Sequence, residues 1–122
     1  MKIEKFEDLD CWKKARELAN LIYDLTNQTS FVKDSQLRGQ MRDAAGSVMH
    51  NIAEGFDSGS DAEFVRFLKI SRRSSSEVQS ELYLAIDRKH ITTNQVQTAY
   101  NKATEVKRLI NGLIAYLRRN KK

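Results

Sequence analysis

The stretch SDAEFVRFLKISRRSSSEVQSELYLA, residues 60–85, shows the pattern that decides the fold. Its apolar and small residues recur at alternating spacings of four and three, which is the heptad repeat of a helix packed against other helices. They are Phe64, Leu68, Ser71, Ser75, Val78, Leu82 and Ala85. The stretch opens with Ser60 and, three residues later, Glu63, the pair that forms a capping box at a helix N-terminus. The sequence therefore predicts a long helix, segment three, that begins at Ser60.

Three further segments repeat apolar residues at helical spacing, over about residues 9–27, 35–55 and 92–117. The chain has no proline and only five glycines, which argues against an all-β protein with many tight turns. The connections between segments are short, and short connections join antiparallel neighbours. We expect an all-α chain folded as an up-down-up-down antiparallel four-helix bundle, in a single domain spanning residues 1–122.

The ends of the helices have recognisable signals. Asp34 is suited to cap the start of segment two, and Thr92–Gln95 has the form of a second capping box at the start of segment four. Gly55, just after the last apolar residue of segment two, predicts a left-handed C-terminal cap. Gly39 and Gly46 lie inside segment two, where each costs about 1 kcal/mol relative to alanine. We expect these two to permit the close approach of another helix.

The composition limits the class of protein. Apolar residues make up 40% and charged residues 30%, which is typical of a globular chain. The sequence contains no apolar run of 18 residues, so it predicts no transmembrane helix, and residues 1–8 lack the apolar core of a signal peptide. We therefore expect a cytoplasmic protein that does not enter a membrane. The single cysteine, Cys11, excludes an internal disulfide and is expected to be a small core residue.

The residues offer little catalytic chemistry. A di-iron bundle needs carboxylates on all four helices and two Glu-x-x-His motifs, but the chain has only His50 and His90. The run Ser74–Ser76 has no neighbouring histidine to suggest a nucleophile, and small packing residues are the alternative interpretation. No Walker-type glycine-rich loop is present. The sequence predicts no enzyme, no cofactor and no metal site.

The charge is unevenly distributed. The net charge is +5, but residues 1–61 contain 8 Lys and Arg against 11 Asp and Glu, whereas residues 62–122 contain 13 against 5. Clustered basic residues can neutralise phosphates and release counterions, although such a surplus also serves solubility. The candidate nucleic-acid contacts are Arg66, Lys69, Arg72, Arg73, Lys107, Arg108, Arg118, Arg119, Lys121 and Lys122. No aromatic residues alternate with them on that face, so base stacking is not indicated.

Polar residues also lie beside the apolar stripe of segment two and segment three. At the edge of a core such groups need partners, since desolvation otherwise costs about 1–3 kcal/mol each. We expect an interhelical network that fixes the register, with Arg42 or another basic residue pairing a carboxylate. A binding site is the alternative interpretation.

Several of these residues stand in a recognisable order. The most specific part is QMRDAAGSV at residues 40–48 followed by NIAEG at residues 51–55, and the run FEDL at residues 6–9 precedes it. The chain resembles the 23S rRNA intervening-sequence protein family over nearly its whole length. The positions that match the family pattern are Gln40, Arg42, Asn51, Glu54, Gly55, Ser74 and Glu77. The chain departs from the pattern at Val32, Asp43 and Arg73.

The resemblance implies a four-helix bundle that assembles into a ring-like homopentamer. It also implies similarity to the accessory proteins of diversity-generating retroelements, which associate with nucleic acid and a reverse transcriptase. The partners expected on this basis are further copies of the chain, RNA or DNA, and a reverse-transcriptase-like protein. The second apolar stripes that segments one and four carry beside their core-facing stripes also suggest self-association.

Two hypotheses about function follow. The first is a non-enzymatic, oligomeric helical-bundle protein that binds RNA or DNA electrostatically through a basic outer face. The alternative is a protein-interaction or scaffold module with no nucleic-acid ligand, in which the basic residues serve solubility. The two differ in where the basic residues lie and in whether acidic groups neutralise them.

Overall fold

The computed structural model describes residues 3–119. This range contains helices and turns but no strand, which confirms the predicted all-α class. The four long helices are α1 (Asp10–Thr26), α2 (Ser35–Phe56), α3 (Asp61–Asp87) and α4 (Thr93–Arg119). Short 3₁₀ turns at Phe6–Asp8 and Thr29–Phe31 precede α1 and α2. Each helix begins and ends close to its predicted position, because the apolar periodicity and the caps are local signals.

The four helices form a bundle around one apolar core. α1 packs against α2 and α4, and α3 packs against the same two helices. Every residue of the predicted α3 seam is buried, and so are the inward-facing residues of α2. The largest fully buried side chains include Phe31, Leu37, Met41, Leu68 and Leu82. The core therefore draws on the heptad positions that the sequence indicated.

The serines at the centre of the α3 seam bond to main-chain carbonyls. The Ser71 hydroxyl donates to the carbonyl oxygen of Val48 in α2 at 2.6 Å, and the Ser75 hydroxyl donates to the Ser71 carbonyl at 3.1 Å. Both side chains are fully buried. The small residues thus bring α2 and α3 close together while each buried hydroxyl keeps a hydrogen-bond partner.

The predicted caps form, with one difference. Thr92 and Gln95 make both bonds of a capping box: the Gln95 amide donates to Oγ1 of Thr92 at 3.2 Å, and the Thr92 amide donates to Oε1 of Gln95 at 2.9 Å. At the start of α3 the Glu63 amide donates to Oγ of Ser60 at 3.1 Å, but the Glu63 carboxylate turns to Arg66 instead of reaching back. That box is therefore half formed.

The predictions for three glycines of α2 were wrong. Gly55 is not a left-handed cap: it is helical, and a Cβ built on it would lie 2.7 Å from Cβ of Phe67 and 2.9 Å from Cδ1 of Phe64. Gly55 is thus the point of close approach to α3. A Cβ on Gly39 would meet nothing within 4 Å, and one on Gly46 would meet only the ring of His50. Among the glycines of the described range, positive φ occurs at Gly59, in the loop before α3.

The second apolar stripes of α1 and α4 are used only in part within the chain, since Leu25, Tyr100 and Leu109 remain half-buried. Cys11 and Leu18 of α1 and Ile114 of α4 are buried, because each helix packs against two neighbours and so buries two adjacent stripes. The burial of Cys11 confirms that it is a core residue, and it raises the pKa of the thiol to about 12. Within residues 3–119, no helix combines the length and apolarity needed to span a bilayer.

Candidate nucleic-acid interface

Arg42, one of the matched motif positions, holds the end of α1. Its Nε donates to the Thr26 hydroxyl at 2.9 Å and one terminal nitrogen donates to Oδ1 of Asn27 at 3.3 Å. Its guanidinium also lies over the Tyr23 ring, 4.5 Å from the centroid. The expected pairing of Arg42 with a carboxylate is therefore wrong, because neutral oxygens of α1 take its donors. Its contacts give it a structural role.

A hydrogen bond between Ser47 and Ser74 joins α2 to α3, and Asn51 supports it from within α2. The hydroxyl oxygens of Ser47 and Ser74 lie 2.9 Å apart, and Nδ2 of Asn51 donates to both the Ser47 hydroxyl and the Ser47 carbonyl. A polar contact between the helices therefore exists, but of the four polar residues expected to form a network only Asn51 takes part. Gln40, Glu54 and Glu77, in contrast, are exposed. The matched motif positions thus divide between contacts that hold the bundle together and side chains on its surface.

Two of these surface side chains border an acidic depression between α2 and α3. Gln40, Asp43, Ser47, Glu77 and Glu81 line it. Burial raises the pKa of Glu81 to about 7, with further contributions from the charges of Glu77 and Asp43. Oε1 of Glu81 is buried and, within the described range, has no hydrogen-bond partner. This carboxyl therefore resists ionisation near neutral pH.

Four of the predicted basic residues meet on the opposite side of α3. They line a surface depression of about 380 Å³ between α3 and α4, together with Ser76. We call these four the α3–α4 basic cluster: Lys69, Arg72, Arg73 and Lys107. Lys69 and Arg73 are one helical turn apart and exposed, whereas Arg72 and Lys107 are half-buried. The fold thus gathers positive charge from two helices at one place.

Neutral amide groups orient two of these cations. A terminal nitrogen of Arg72 donates to Oδ1 of Asn111 in α4 at 2.7 Å, and Nζ of Lys107 donates to Oε1 of Gln79 in α3 at 3.0 Å. Of the ion pairs within residues 3–119, none involves a member of the cluster. The cluster therefore keeps its positive charge available to an anion.

Arg66, predicted to act with Lys69 and Arg73, differs from them. It forms an ion pair with Glu63 at 2.9 Å and lies over the Phe67 ring, 4.7 Å from the centroid. This pairing lowers the pKa of Glu63 and raises that of Arg66. Much of the charge of Arg66 is thus neutralised within its own helix.

The remaining predicted basic residues lie elsewhere. Arg108 borders a groove between α4 and the start of α1, together with Asp8 and Asp10. Arg118 borders a shallow depression with Asp61, and Arg119 is exposed at the end of α4. Lys121 and Lys122 lie outside the described residues. The structure therefore does not bring all ten predicted residues to one face.

The histidines and acidic residues form no candidate metal centre. Nε2 of His90 lies 2.8 Å from Oδ2 of Asp34, which also pairs with Arg88 at 2.9 Å. These two hydrogen bonds lower the pKa of Asp34 and tie the α3–α4 connection to the start of α2. No group of three or more His, Cys, Asp or Glu side chains in residues 3–119 is arranged to hold a metal ion.

The sequence did not single out Gln79 or Asn111, although both orient cluster residues. The available signal for Gln79 was its position four residues after Ser75, because this spacing places it on the same, inward-facing side of the helix. The partner of each amide, however, lies on the other helix. Only the register between α3 and α4 shows which cation each amide meets.

The fold and this cluster define a small helical-bundle protein with a basic seam between two helices. The chain belongs to the 23S rRNA-intervening sequence protein family, whose model matches residues 7–112. It is similar to a crystal structure of a protein of unknown function from the S23 ribosomal protein family of Bacteroides thetaiotaomicron, with a TM-score of 0.75 and 28% identity. The match covers 85% of this chain and 97% of that one. No curated protein shows significant similarity to the chain.

Proposed function

We propose that this chain is a non-enzymatic helical-bundle protein that binds the phosphate backbone of RNA or DNA through the α3–α4 basic cluster. The observation that carries the proposal is the convergence of Lys69, Arg72, Arg73 and Lys107 on one depression, where none of them forms an ion pair with a carboxylate of residues 3–119. Arg66 and Lys102 show the contrast. Glu63 neutralises the first, and Glu17 and Glu105 neutralise the second.

The chemistry of the cluster favours backbone contacts over recognition of bases. Lysine and arginine that neutralise phosphates release condensed counterions, and this contribution does not depend on sequence. The residues that line the depression include no aromatic side chain on which a base could stack. The proposed binding is therefore strongly dependent on salt and weakly dependent on base composition.

We propose that successive helices alternate in direction, up-down-up-down. In support, Asp61 at the start of α3 and Arg118 at the end of α4 border the same depression, and Arg72 bonds to Asn111 further along the two helices. We also propose a ring-like homo-oligomer, with five copies as the family resemblance implies. Such a ring would repeat the basic cluster once per copy. Light scattering of the purified chain tests the assembly.

The experiment that tests binding uses fluorescently labelled single strands of about 20 nucleotides, one of uridine and one of thymidine. Fluorescence anisotropy at about 50 mM salt measures their affinity for the wild-type protein and for the Lys69→Gln/Arg73→Gln/Lys107→Gln variant. We expect the triple variant to bind both strands at least about tenfold more weakly. Absent wild-type binding, or unchanged affinity in the triple variant, would overturn the proposal.

A scaffold module is the second candidate function, favoured by apolar side chains on the surface. Tyr83 and Leu84 are adjacent in α3 and are 57% and 39% exposed. Exposed large apolar residues of this kind serve contacts between proteins. In that case, Tyr83→Ser/Leu84→Ser would weaken self-association or partner binding while leaving oligonucleotide affinity at its wild-type value.

A further inference from the structure

The carboxamide of Gln79 is fixed in one orientation between α3 and α4. The residue is only 6% exposed. Its Nε2 donates to the Thr104 hydroxyl at 2.8 Å and to the Tyr100 carbonyl at 3.2 Å. Since the Tyr100 carbonyl can only accept a hydrogen bond, the atom of Gln79 that faces it must be the nitrogen. The carbonyl oxygen Oε1 therefore faces the remaining neighbour, Nζ of Lys107, at 3.0 Å.

This contact orients Lys107 without neutralising it. A lysine side chain has several rotatable bonds, and fixing it before a ligand binds lowers the entropic cost of binding. A carboxylate at this position would fix Lys107 equally well but would cancel its charge, as Glu17 and Glu105 do for Lys102. The neutral amide of Gln79 provides orientation and leaves the charge available.

We propose that Gln79 is a positioning residue of the α3–α4 basic cluster, which holds the Lys107 ammonium at the depression where a phosphate group binds. The inference rests on the proposed function, because the phosphate is that of the bound backbone. Gln79 acts through Lys107 and does not itself contact the phosphate. The effect of changing Gln79 should therefore depend on the presence of Lys107.

A double-mutant cycle tests this dependence, with the single strand of uridine as the probe. The variants are Gln79→Met, Lys107→Met and the double variant, measured by anisotropy at low salt. Met keeps the approximate volume of Gln79 but removes both the acceptor for Lys107 and the donor to Thr104 and Tyr100, so the comparison with the Lys107→Met background isolates the part that acts through Lys107. We expect Gln79→Met to weaken binding about fivefold in the wild-type background and less than about twofold in the Lys107→Met background. Equal losses in both backgrounds would overturn the inference, because Gln79 would then act independently of Lys107.

A second substitution keeps the inference testable if Gln79→Met does not fold. Gln79→Glu retains the shape and an acceptor for Lys107, but it loses the donor to the Tyr100 carbonyl and adds a charge that neutralises the ammonium. We expect it to weaken binding by at least about fivefold and to reduce the salt dependence by about the contribution of one phosphate contact. The matched control is Gln97→Glu on the exposed face of α4, where Gln97 contacts Asn101. Equal losses in Gln79→Glu and Gln97→Glu would overturn the inference.

The failure of this inference is distinguishable from the failure of the proposed function. If the wild-type protein does not bind the oligonucleotide, the proposed function fails and the inference fails with it. If Lys107→Met weakens binding but Gln79→Met leaves the affinity unchanged, only the positioning role of Gln79 is wrong.

Discussion

The backbone of Gly55 in α2 approaches Phe67 in α3 so closely that a Cβ atom on Gly55 would lie 2.7 Å from Cβ of Phe67. Because a Cβ atom is fixed to the main chain, neither helix can relieve such a contact by rotating a side chain. The last residue of the NIAEG run thus sets how closely α2 and α3 approach each other next to the loop that joins them.

The first prediction concerns this contact. Gly55→Ala should lower the free energy of unfolding by about 2 kcal/mol, because the added methyl forces the helices apart. The matched control is Gly39→Ala in the same helix, where the added Cβ meets nothing within 4 Å. It should raise the free energy of unfolding by about 0.5–1 kcal/mol through helix propensity alone. Denaturant unfolding measures both free energies. A Gly55→Ala protein that is more stable than wild type would contradict the close approach of α2 to α3 at Gly55.

The second prediction concerns Glu81, whose pKa in the folded protein is raised to about 7 from an ordinary value of 4.5. Between these values the folded state retains a proton that the unfolded state has lost, so stability falls as pH rises from about 4.5 to 7. Glu81→Gln removes this loss. We expect the variant to be more stable than wild type at pH 8 by about 1 kcal/mol, a value reduced for the partial exposure of Glu81, and equally stable near pH 4.

The control for Glu81 is Glu54→Gln, which changes an exposed carboxylate of α2 outside the acidic depression. Both variants remove one carboxylate, so a gain in stability at pH 8 that is specific to Glu81 should be larger in Glu81→Gln than in Glu54→Gln. Thermal unfolding at the two pH values measures all three proteins. A Glu81→Gln variant that is no more stable than wild type at pH 8 would contradict the assigned burial of this carboxyl.

The third prediction separates structural from binding arginines. Arg42→Met should lower the free energy of unfolding by about 1–2 kcal/mol, because it removes the bonds to Thr26 and Asn27 and the stacking on Tyr23. It should leave oligonucleotide affinity within about twofold. Arg73→Met should show the reverse pattern, since Arg73 is exposed and belongs to the basic cluster. Loss of affinity in the folded Arg42→Met protein would place Arg42 in the binding surface.

The helices were predictable from the sequence because their signals are local. The stripe through Phe64, Leu68 and Ser71 and the capping box of Thr92 and Gln95 each depend on residues within one or two turns. The prediction for Gly55 was wrong because two roles give the same sequence pattern. A glycine that follows an apolar run can end a helix, or it can allow a neighbouring helix to pack closely. Its partner, Phe67, lies beyond the loop, and the sequence does not state their distance.

The basic site could be predicted only in part. Arg66 and Glu63 stand three residues apart on α3, so their ion pair was visible in the sequence as helical spacing. The convergence of Lys107 with Lys69 and Arg73 was not, because it depends on the register between α3 and α4. Sequence spacing places charges on a helix face, but the packing of two helices decides which faces meet.

The central claim is that the α3–α4 basic cluster contacts phosphates, and the salt dependence of oligonucleotide binding tests it most directly. The comparison includes the wild-type protein, Lys69→Gln/Arg73→Gln/Lys107→Gln, and the control Lys5→Gln/Lys13→Gln/Lys33→Gln, which removes the same amount of charge from exposed positions outside the cluster. Between about 50 and 200 mM salt, the slope of log K against log salt concentration should be shallower by about 2 in the cluster variant, and the control should keep nearly the wild-type slope. Equal slopes in the two triple variants would contradict the account, because binding would then depend on net charge and not on this cluster.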